Sequence, residues 1–303
     1  MKAMILAAGK GTRLVPLTYI CPKALVPIAN TPLIDRTIKY LRPYGVREII
    51  INAHHLHGKI IDYLETLNKN YGILEVRVEK DILGTGGGIK NTEDFWGEEP
   101  FIVINGDIVT NIDLGKVYTY HKNRNNLVTM VLHDYPRHNK ILVDSLMNIL
   151  SIGPNVRVKN SLAFTGIHVI NPEVLRYIPK NRKYDILECY KGLIAGKKRV
   201  RGYMATGHRW IDIGTLKDYI KANLDFLPAN RNLIGPNCVI DSNVGEIYQA
   251  VLGTGCTLEK GAIVKKSILW DNVIIKEGVK VIDSIITSGV IVKKDTYKAV
   301  ATK

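Results

Sequence analysis

MKAMILAAGKGTRLVPLTYICPK, residues 1–23, is the stretch around which the remaining chain is organised. Met4 to Ala7 are small or apolar, which suits a strand buried on both faces of a parallel sheet. Ala8-Gly9-Lys10-Gly11-Thr12-Arg13 follows at once. Two glycines with a lysine and an arginine among them let backbone N–H groups close on an anion, with side-chain charge to spare. Pro22-Lys23 brings a third cation towards the same place. A tight turn at the end of a first strand is where open α/β sheets bind ligands. A dinucleotide fingerprint needs a third glycine where Leu14 stands, and a Walker loop needs a G-K-[ST] run that is absent.

The strand, GKGTRL and then PK resemble the signature of the sugar-1-phosphate nucleotidyltransferases, G-x-G-T-R-[LM] followed by P-K. The resemblance implies that Leu6, Ala7, Ala8, Gly9, Gly11, Thr12 and Arg13 bind a nucleotide, with Arg13 neutralising the leaving pyrophosphate. It implies that Lys23 contacts the α-phosphate or the attacking phosphate.

The bulk properties agree with such a protein. The chain has 303 residues, 46% of them apolar, which is room for one large domain and a smaller one. Lys and Arg number 42 against 28 Asp and Glu, a formal charge of +14 that favours anionic partners. No aromatic-interleaved basic stripe or RNA motif accompanies that charge, so small polyanions are expected and nucleic acid is not. A basic RNA-binding protein is the rival and differs by salt-sensitive RNA affinity. No apolar run approaches a membrane span, and the start reads as a buried strand in place of a signal peptide. The expected setting is cytoplasmic. Cys21, Cys189, Cys238 and Cys256 form no C-x-x-C pair, and free thiols in a reducing compartment are expected.

After Pro27, Thr31 can cap and Pro32 can open a helix whose apolar positions Leu33, Ile34, Ile38 and Leu41 recur at helical spacing until Gly45. Glu48–Asn52 reads as a strand, Leu56–Leu67 as a helix and Tyr71–Val78 as a strand. The alternation predicts a doubly wound, mostly parallel α/β sheet, Rossmann-like. His54, His55 and His57 fall at a strand-to-helix turn with no carboxylate or Cys at ligand spacing, and read as polar turn residues.

Glu79 to Lys90, EKDILGTGGGIK, carries three glycines in a row that would be costly inside a helix, so they are expected before one, where a flat ligand or a phosphate could approach closely. Leu83–Ile89 resembles the family's L-G-T-A-G-A, which implies that Gly84 and Thr85 help form the base pocket. Glu79 or Asp81 can accept from base N–H groups; guanine offers two such donors on one edge and uracil one, so the base stays open. A solvated loop acid is the structural alternative for Glu79.

Pro100–Asp107 reads as an apolar strand ending in an acid, and an aspartate at the carboxyl end of a buried parallel strand points into the ligand crevice. A cap for the helix near Asp113 is the alternative. The family has a Mg²⁺-binding Asp in this place, and the resemblance implies that Gly106 lies at the sugar. LAFTGIHVI, residues 162–170, resembles the family strand in which a glycine, here Gly166, approaches the sugar. Many members carry E-K-P before that strand; this chain has SIGPNVRVKNS, in which Lys159 or Arg157 could substitute. Tyr184–Leu193 reads as a helix that could offer Asp185 or Glu188 to sugar hydroxyls. His208–Thr215 contains WIDIGT, similar to W-x-D-I-G-T, whose Asp is the second metal ligand; a helix cap is again the alternative for Asp212. Asp107 and Asp212 are thus expected to hold Mg²⁺, an ion that takes one or two carboxylates plus phosphate oxygens.

A composition break follows Pro228. Aliphatic residues then recur near every sixth place with Gly, Asn or Asp between, as in the hexapeptide repeat of a left-handed parallel β-helix. A β-sandwich would have period two. Slips near Glu246 and Trp270 suggest bulges or short loops. The expected domains are 1–228, catalytic, and 229–303, the β-helix, structural or an assembly surface, giving a homo-oligomer. The ensemble is most similar to the mannose-1-phosphate guanylyltransferase-like branch, with a nucleoside triphosphate and a sugar 1-phosphate as partners. GTGGGIKN is also similar to uridylyltransferases acting on muramate phosphate, and thymidylyltransferases are a further alternative. A non-catalytic scaffold relative, which would bind nucleotide without releasing pyrophosphate, is the rival of another class.

Overall fold

The computed structural model describes residues 1–136, 138–153, 161–227 and 231–303, without the side chains of residues 68–71. Arg157 and Lys159, the possible substitutes for E-K-P, and the expected boundary at Pro228 lie outside the described residues. The chain divides into two compact units: Met1–Lys10 with Ile34–Trp210, and Gly11–Leu33 with Ile211–Lys303.

The first unit is built on one sheet. Its strands are β1 (Lys2–Leu6), β2 (Glu48–Ala53), β3 (Ile73–Val78), β4 (Phe101–Asn105), β5 (Val128–His133), β6 (Ile141–Val143), β7 (Ile149–Ile152), β8 (Ser161–Ile170) and β9 (Val200–Met204). The order β3-β2-β1-β4 is parallel throughout. From β1 the chain steps outward to β2 and β3, then returns to β4 on the other flank of β1. Such a reversal of strand order opens a crevice at the carboxyl ends of β1 and β4. The apolar runs in β1, β2 and β4 follow from this placement, because both faces are covered: Met4, Ile50 and Val103 are fully buried.

Beyond β4 the sheet turns antiparallel. β8 pairs antiparallel with β4, β5 and β6, β6 with β7, and β9 lies parallel to β5. The register between β8 and β5 shifts between Phe164 and His168, so Gly166 sits in a bulge with φ of +80°.

The helices are α1 (Leu33–Leu41), α2 (His57–Tyr71), α3 (Gly84–Lys90), α4 (Leu114–Asn123) and α5 (Ile186–Ala195). One expectation is corrected here. The glycines of GTGGG do not precede a helix; they form the first turns of α3. A Cβ on Gly87 would stand 2.6 Å from the Arg182 carbonyl oxygen, and one on Gly86 would stand 3.0 Å from the Ile186 nitrogen. The Gly86 and Gly87 N–H groups both donate to the Tyr184 carbonyl, at 2.9 and 3.1 Å. The close approach at these two positions is to the protein's own backbone, and that contact offsets the helical cost of glycine.

The second unit holds a hairpin (Pro27–Ile28 with Thr31–Pro32), the helix α6 (Leu216–Asp225) and a parallel coil. The coil visits three parallel sheets in turn. Val251, Ile268 and Ile285 stack in register, as do Thr257, Ile274 and Ile291, at intervals of 17 residues. Three sides of six would give 18. The missing residue falls at the corner formed by Lys266 and Asp283, where single left-handed residues (φ 46° and 50°) turn the chain. Leu252, Leu258, Val264, Leu269, Ile275, Val281 and Ile286 point inward as the core. This is the hexapeptide β-helix, and its corner explains why the sixfold pattern slips.

Candidate active site

The carboxyl ends of β1 to β4 enclose a cavity of about 210 Å³. Leu6, Ala8 and Gly9 come from the end of β1, Glu79 from the residue after β3, Gly84 and Thr85 from the start of α3, and Asp107 from the turn after β4. These residues were singled out from the sequence. Asn52, Ile82 and Asn105 complete the lining and were missed. The signal was present: Asn52 is the last residue but one of β2 and Asn105 the last of β4, each a polar residue straight after an apolar run.

Asn52 holds the wall together. Its Oδ1 accepts from the Ala7 N–H at 2.8 Å, and its Nδ2 donates to Glu79 Oε1 at 2.7 Å. Glu79 Oε2 accepts from the Leu83 N–H at 2.9 Å. With 3% exposure, Glu79 is a fixed buried carboxylate and not a solvated loop acid. A carboxylate has about four acceptor sites, so two bonds leave capacity for a ligand. A Cβ on Gly88 would stand 2.8 Å from both Asn52 Nδ2 and Glu79 Oε1, so Gly88 leaves the space this pair occupies. Asp81 does not line the cavity.

Asp107 is not a helix cap, because α4 is capped by Asp113, whose side chain accepts from the Lys116 N–H at 3.1 Å. Gly106 donates its N–H to the Leu6 carbonyl at 2.9 Å, where a Cβ would meet the Leu6 oxygen at 2.8 Å. Gly166 packs on Asn105, with 2.7 Å from a built Cβ to Asn105 Nδ2. Asp185 caps α5, accepting from the Leu187 N–H at 3.0 Å, and also accepts from Thr85 Oγ1 at 3.1 Å. Its carboxylate thereby ties α5 to the edge of the cavity. His54 and His57 bond to backbone carbonyl groups of Glu79 and His54 through Nδ1.

A second cavity of the same unit, about 380 Å³, is lined by His133, Tyr135, His208 and Trp210 among others. Trp210 donates to the Thr165 carbonyl at 2.9 Å. Burial, and next the neighbouring His208, push the His133 imidazole down to about 4, and burial lowers His208.

Within the second unit, Gly11 takes the left-handed conformation (φ +64°) and starts the turn Thr12–Leu14 that carries Arg13. A Cβ there would stand 2.8 Å from Thr18 Cγ2 and 3.2 Å from Lys23 Cβ, so the lysine stem packs against the loop. A Cβ on Gly214 would stand 3.3 Å from both Arg13 Nη1 and Asp212 Oδ2. The glycine of WIDIGT is thus where the arginine and the aspartate converge. Asp212 is not the cap of α6; Thr215 is, accepting from the Asp218 N–H at 3.2 Å.

Among the described residues no group of three or more His, Cys, Asp or Glu side chains is gathered as a metal cluster. Asp107 in the first unit and Asp212 in the second each carry hard oxygen donors, the type Mg²⁺ prefers. No helix among the described residues is long and apolar enough to cross a membrane.

Comparison with known proteins gives two family matches: the nucleotidyl transferase family over residues 2–228, and a GlmU-like C-terminal hexapeptide family over residues 226–298. Among curated relatives, an N-acetylmuramate alpha-1-phosphate uridylyltransferase of Neisseria meningitidis is 34% identical, over 71% of this chain and 94% of that protein. A probable mannose-1-phosphate guanylyltransferase of rice is 28% identical, over 97% of this chain and 83% of its own length. Among solved structures, HddC from Yersinia pseudotuberculosis complexed with GMP-PN has a TM-score of 0.63 at 26% identity, covering 75% of this chain and 99% of that one.

Proposed function

Because the chain belongs to the nucleotidyl transferase family, we propose that it condenses a nucleoside triphosphate with a sugar 1-phosphate, and that GTP and mannose 1-phosphate are the pair. The observation that carries this reading is the cavity at the reversal of strand order, with the loop after β1, buried Glu79 and Asp107 on its wall.

In the reaction an oxygen of the sugar phosphate attacks the α-phosphorus in line, and pyrophosphate leaves. Such transfer needs positioning and charge neutralisation more than a protein nucleophile. Enzymes of this family generally use a divalent metal. Bound Mg²⁺ would neutralise phosphate charge, with Asp107 and Asp212 as its protein ligands. Amides of Gly9 to Thr12 and the Arg13 guanidinium oppose the charge that gathers on the pyrophosphate. Lys23 meets the α-phosphate or the attacking phosphate, and its stem is braced by Gly11. Leu6, Ala7, Ala8, Gly84 and Thr85 flank the nucleoside, with Glu79 accepting from N–H groups on the base edge. Guanine supplies two donors to such a carboxylate. Gly106, Gly166 and Asp185 border the sugar. We assign the catalytic domain to residues 1–228 and the coil to 229–303, in a cytoplasmic homo-oligomer.

A second reading, UTP with an N-acetylmuramate 1-phosphate, is favoured by the 34% identical uridylyltransferase. The test is pyrophosphate release from each nucleoside triphosphate against several sugar 1-phosphates with Mg²⁺. GTP with mannose 1-phosphate should turn over fastest. A fastest rate with UTP and the muramate sugar would establish the second reading. No release from any pair would overturn both and favour a non-catalytic scaffold.

A further inference from the structure

The hexapeptide coil belongs to the same compact unit as the segments that carry Arg13, Lys23 and Asp212. A chain of buried hydrogen bonds explains how. Trp270, in the coil and 7% exposed, donates its indole N–H to the Tyr219 hydroxyl at 2.9 Å. Tyr219, on α6 and fully buried, donates that hydroxyl to the Pro27 carbonyl at 2.8 Å. The one hydroxyl proton goes to Pro27 and a lone pair takes the indole proton, so the geometry of the hydroxyl is set from both sides. Pro27 stands four residues after Lys23, just past the turn Lys23–Leu25.

Two further bonds fix the same hairpin. The Ala29 N–H donates to Asn223 Oδ1 on α6 at 2.8 Å, and Asn30 Nδ2 donates to the Leu252 carbonyl in the coil at 2.7 Å. Ala29 and Asn30 hold left-handed φ of 45° and 58°, which these contacts stabilise. A coil that served only for assembly would need no polar contact with the turn of this hairpin or with the tyrosine that holds its first strand.

We infer that the β-helix is a positioning element of the transfer reaction, and that Trp270, through Tyr219 and the Pro27 carbonyl, is a positioning residue for Lys23. This rests on the reading that Lys23 acts on a phosphate. Precise placement of such a charge matters because an error of about 1 Å can cost about a hundredfold in rate.

The test uses the full chain with Trp270→Phe, which keeps an aromatic ring and removes the indole donor, and Tyr219→Phe, which keeps the ring and removes both bonds of the hydroxyl. kcat, both KM values and the melting temperature are measured with the best substrate pair, at a temperature where every variant is folded. Loss of positioning lowers kcat at least about fivefold, more for Tyr219→Phe because it also releases Pro27, and leaves each KM within about twofold. A merely structural contact lowers the melting temperature alone. A smaller fall in kcat for both variants, whatever the melting temperature, overturns this inference. If the wild type transfers nucleotide and Lys23→Ala does not, that failure belongs to the coil and not to the site. A wild type without transfer activity overturns both.

Discussion

Replacing Gly88 by alanine sets two known effects against each other. Gly88 lies within α3, where alanine is worth about 1 kcal/mol over glycine. Its new Cβ, however, would stand 2.8 Å from Asn52 Nδ2 and from Glu79 Oε1. Neither atom can swing away freely. Asn52 is held at Oδ1 by the Ala7 N–H, and Glu79 at Oε2 by the Leu83 N–H. The least disturbance is loss of the 2.7 Å bond between them. A hydrogen bond to a charged group is worth about 1.5–3 kcal/mol, so the clash outweighs the propensity gain. Gly192 in α5 is the control, since a Cβ there meets nothing within 4 Å. Gly192→Ala should raise the melting temperature by about 2–4 °C. Gly88→Ala should lower it, leaving about 3–12 °C between the two variants. Calorimetry of the two variants and the wild type measures this, and KM for the nucleoside triphosphate should rise only in Gly88→Ala. Equal stabilisation in both would refute the claim that the Asn52–Glu79 pair fills the space beside Gly88.

Other outcomes are expected. Lys23→Ala should fold as the wild type by circular dichroism but lose on the order of a hundredfold or more in kcat. EDTA should abolish pyrophosphate release, and added Mg²⁺ should restore it. His121 is 1% exposed, and burial lowers its pKa to about 4 from an ordinary 6.5. The unfolded chain then binds a proton that the folded chain refuses, so His121 leaves stability unchanged above pH 6.5 and costs stability as the pH falls towards 4. The full cost is about 3 kcal/mol. Thermal melts from pH 7 to 4.5 should show the loss, and His121→Asn should flatten that part of the profile.

The parallel half of the sheet was legible because strands covered on both faces need apolar middles, as β1, β2 and β4 have in Ala3–Ile5, Ile49–Ile51 and Phe101–Ile104. The turn after β1 and the coil were legible because backbone geometry restricts which residues can stand there, and the place of Asp107 on the cavity wall because it follows an apolar strand at its carboxyl end. What escaped were contacts between distant segments. Nothing local says that Gly86 and Gly87 face the carbonyl groups of residues 182–184, so a helix start looked like a loop. Nothing local says that Asn52 braces Glu79 across 27 positions, or that Trp270 reaches Tyr219 across 51. The 17-residue rung was hidden for another reason: a left-handed corner shortens one side without altering the aliphatic pattern of the others.

The central claim is that Asp107 and Asp212 both serve the ion that accompanies the nucleotide. Calorimetric titration of Mg²⁺ into the protein saturated with a non-hydrolysable GTP analogue tests it most directly. The account predicts that Asp107→Asn and Asp212→Asn each weaken Mg²⁺ binding by tenfold or more, about 1.4 kcal/mol, and that the double variant loses less, relative to the wild type, than the sum of the two single losses. Wild-type Mg²⁺ affinity in either single variant would contradict it.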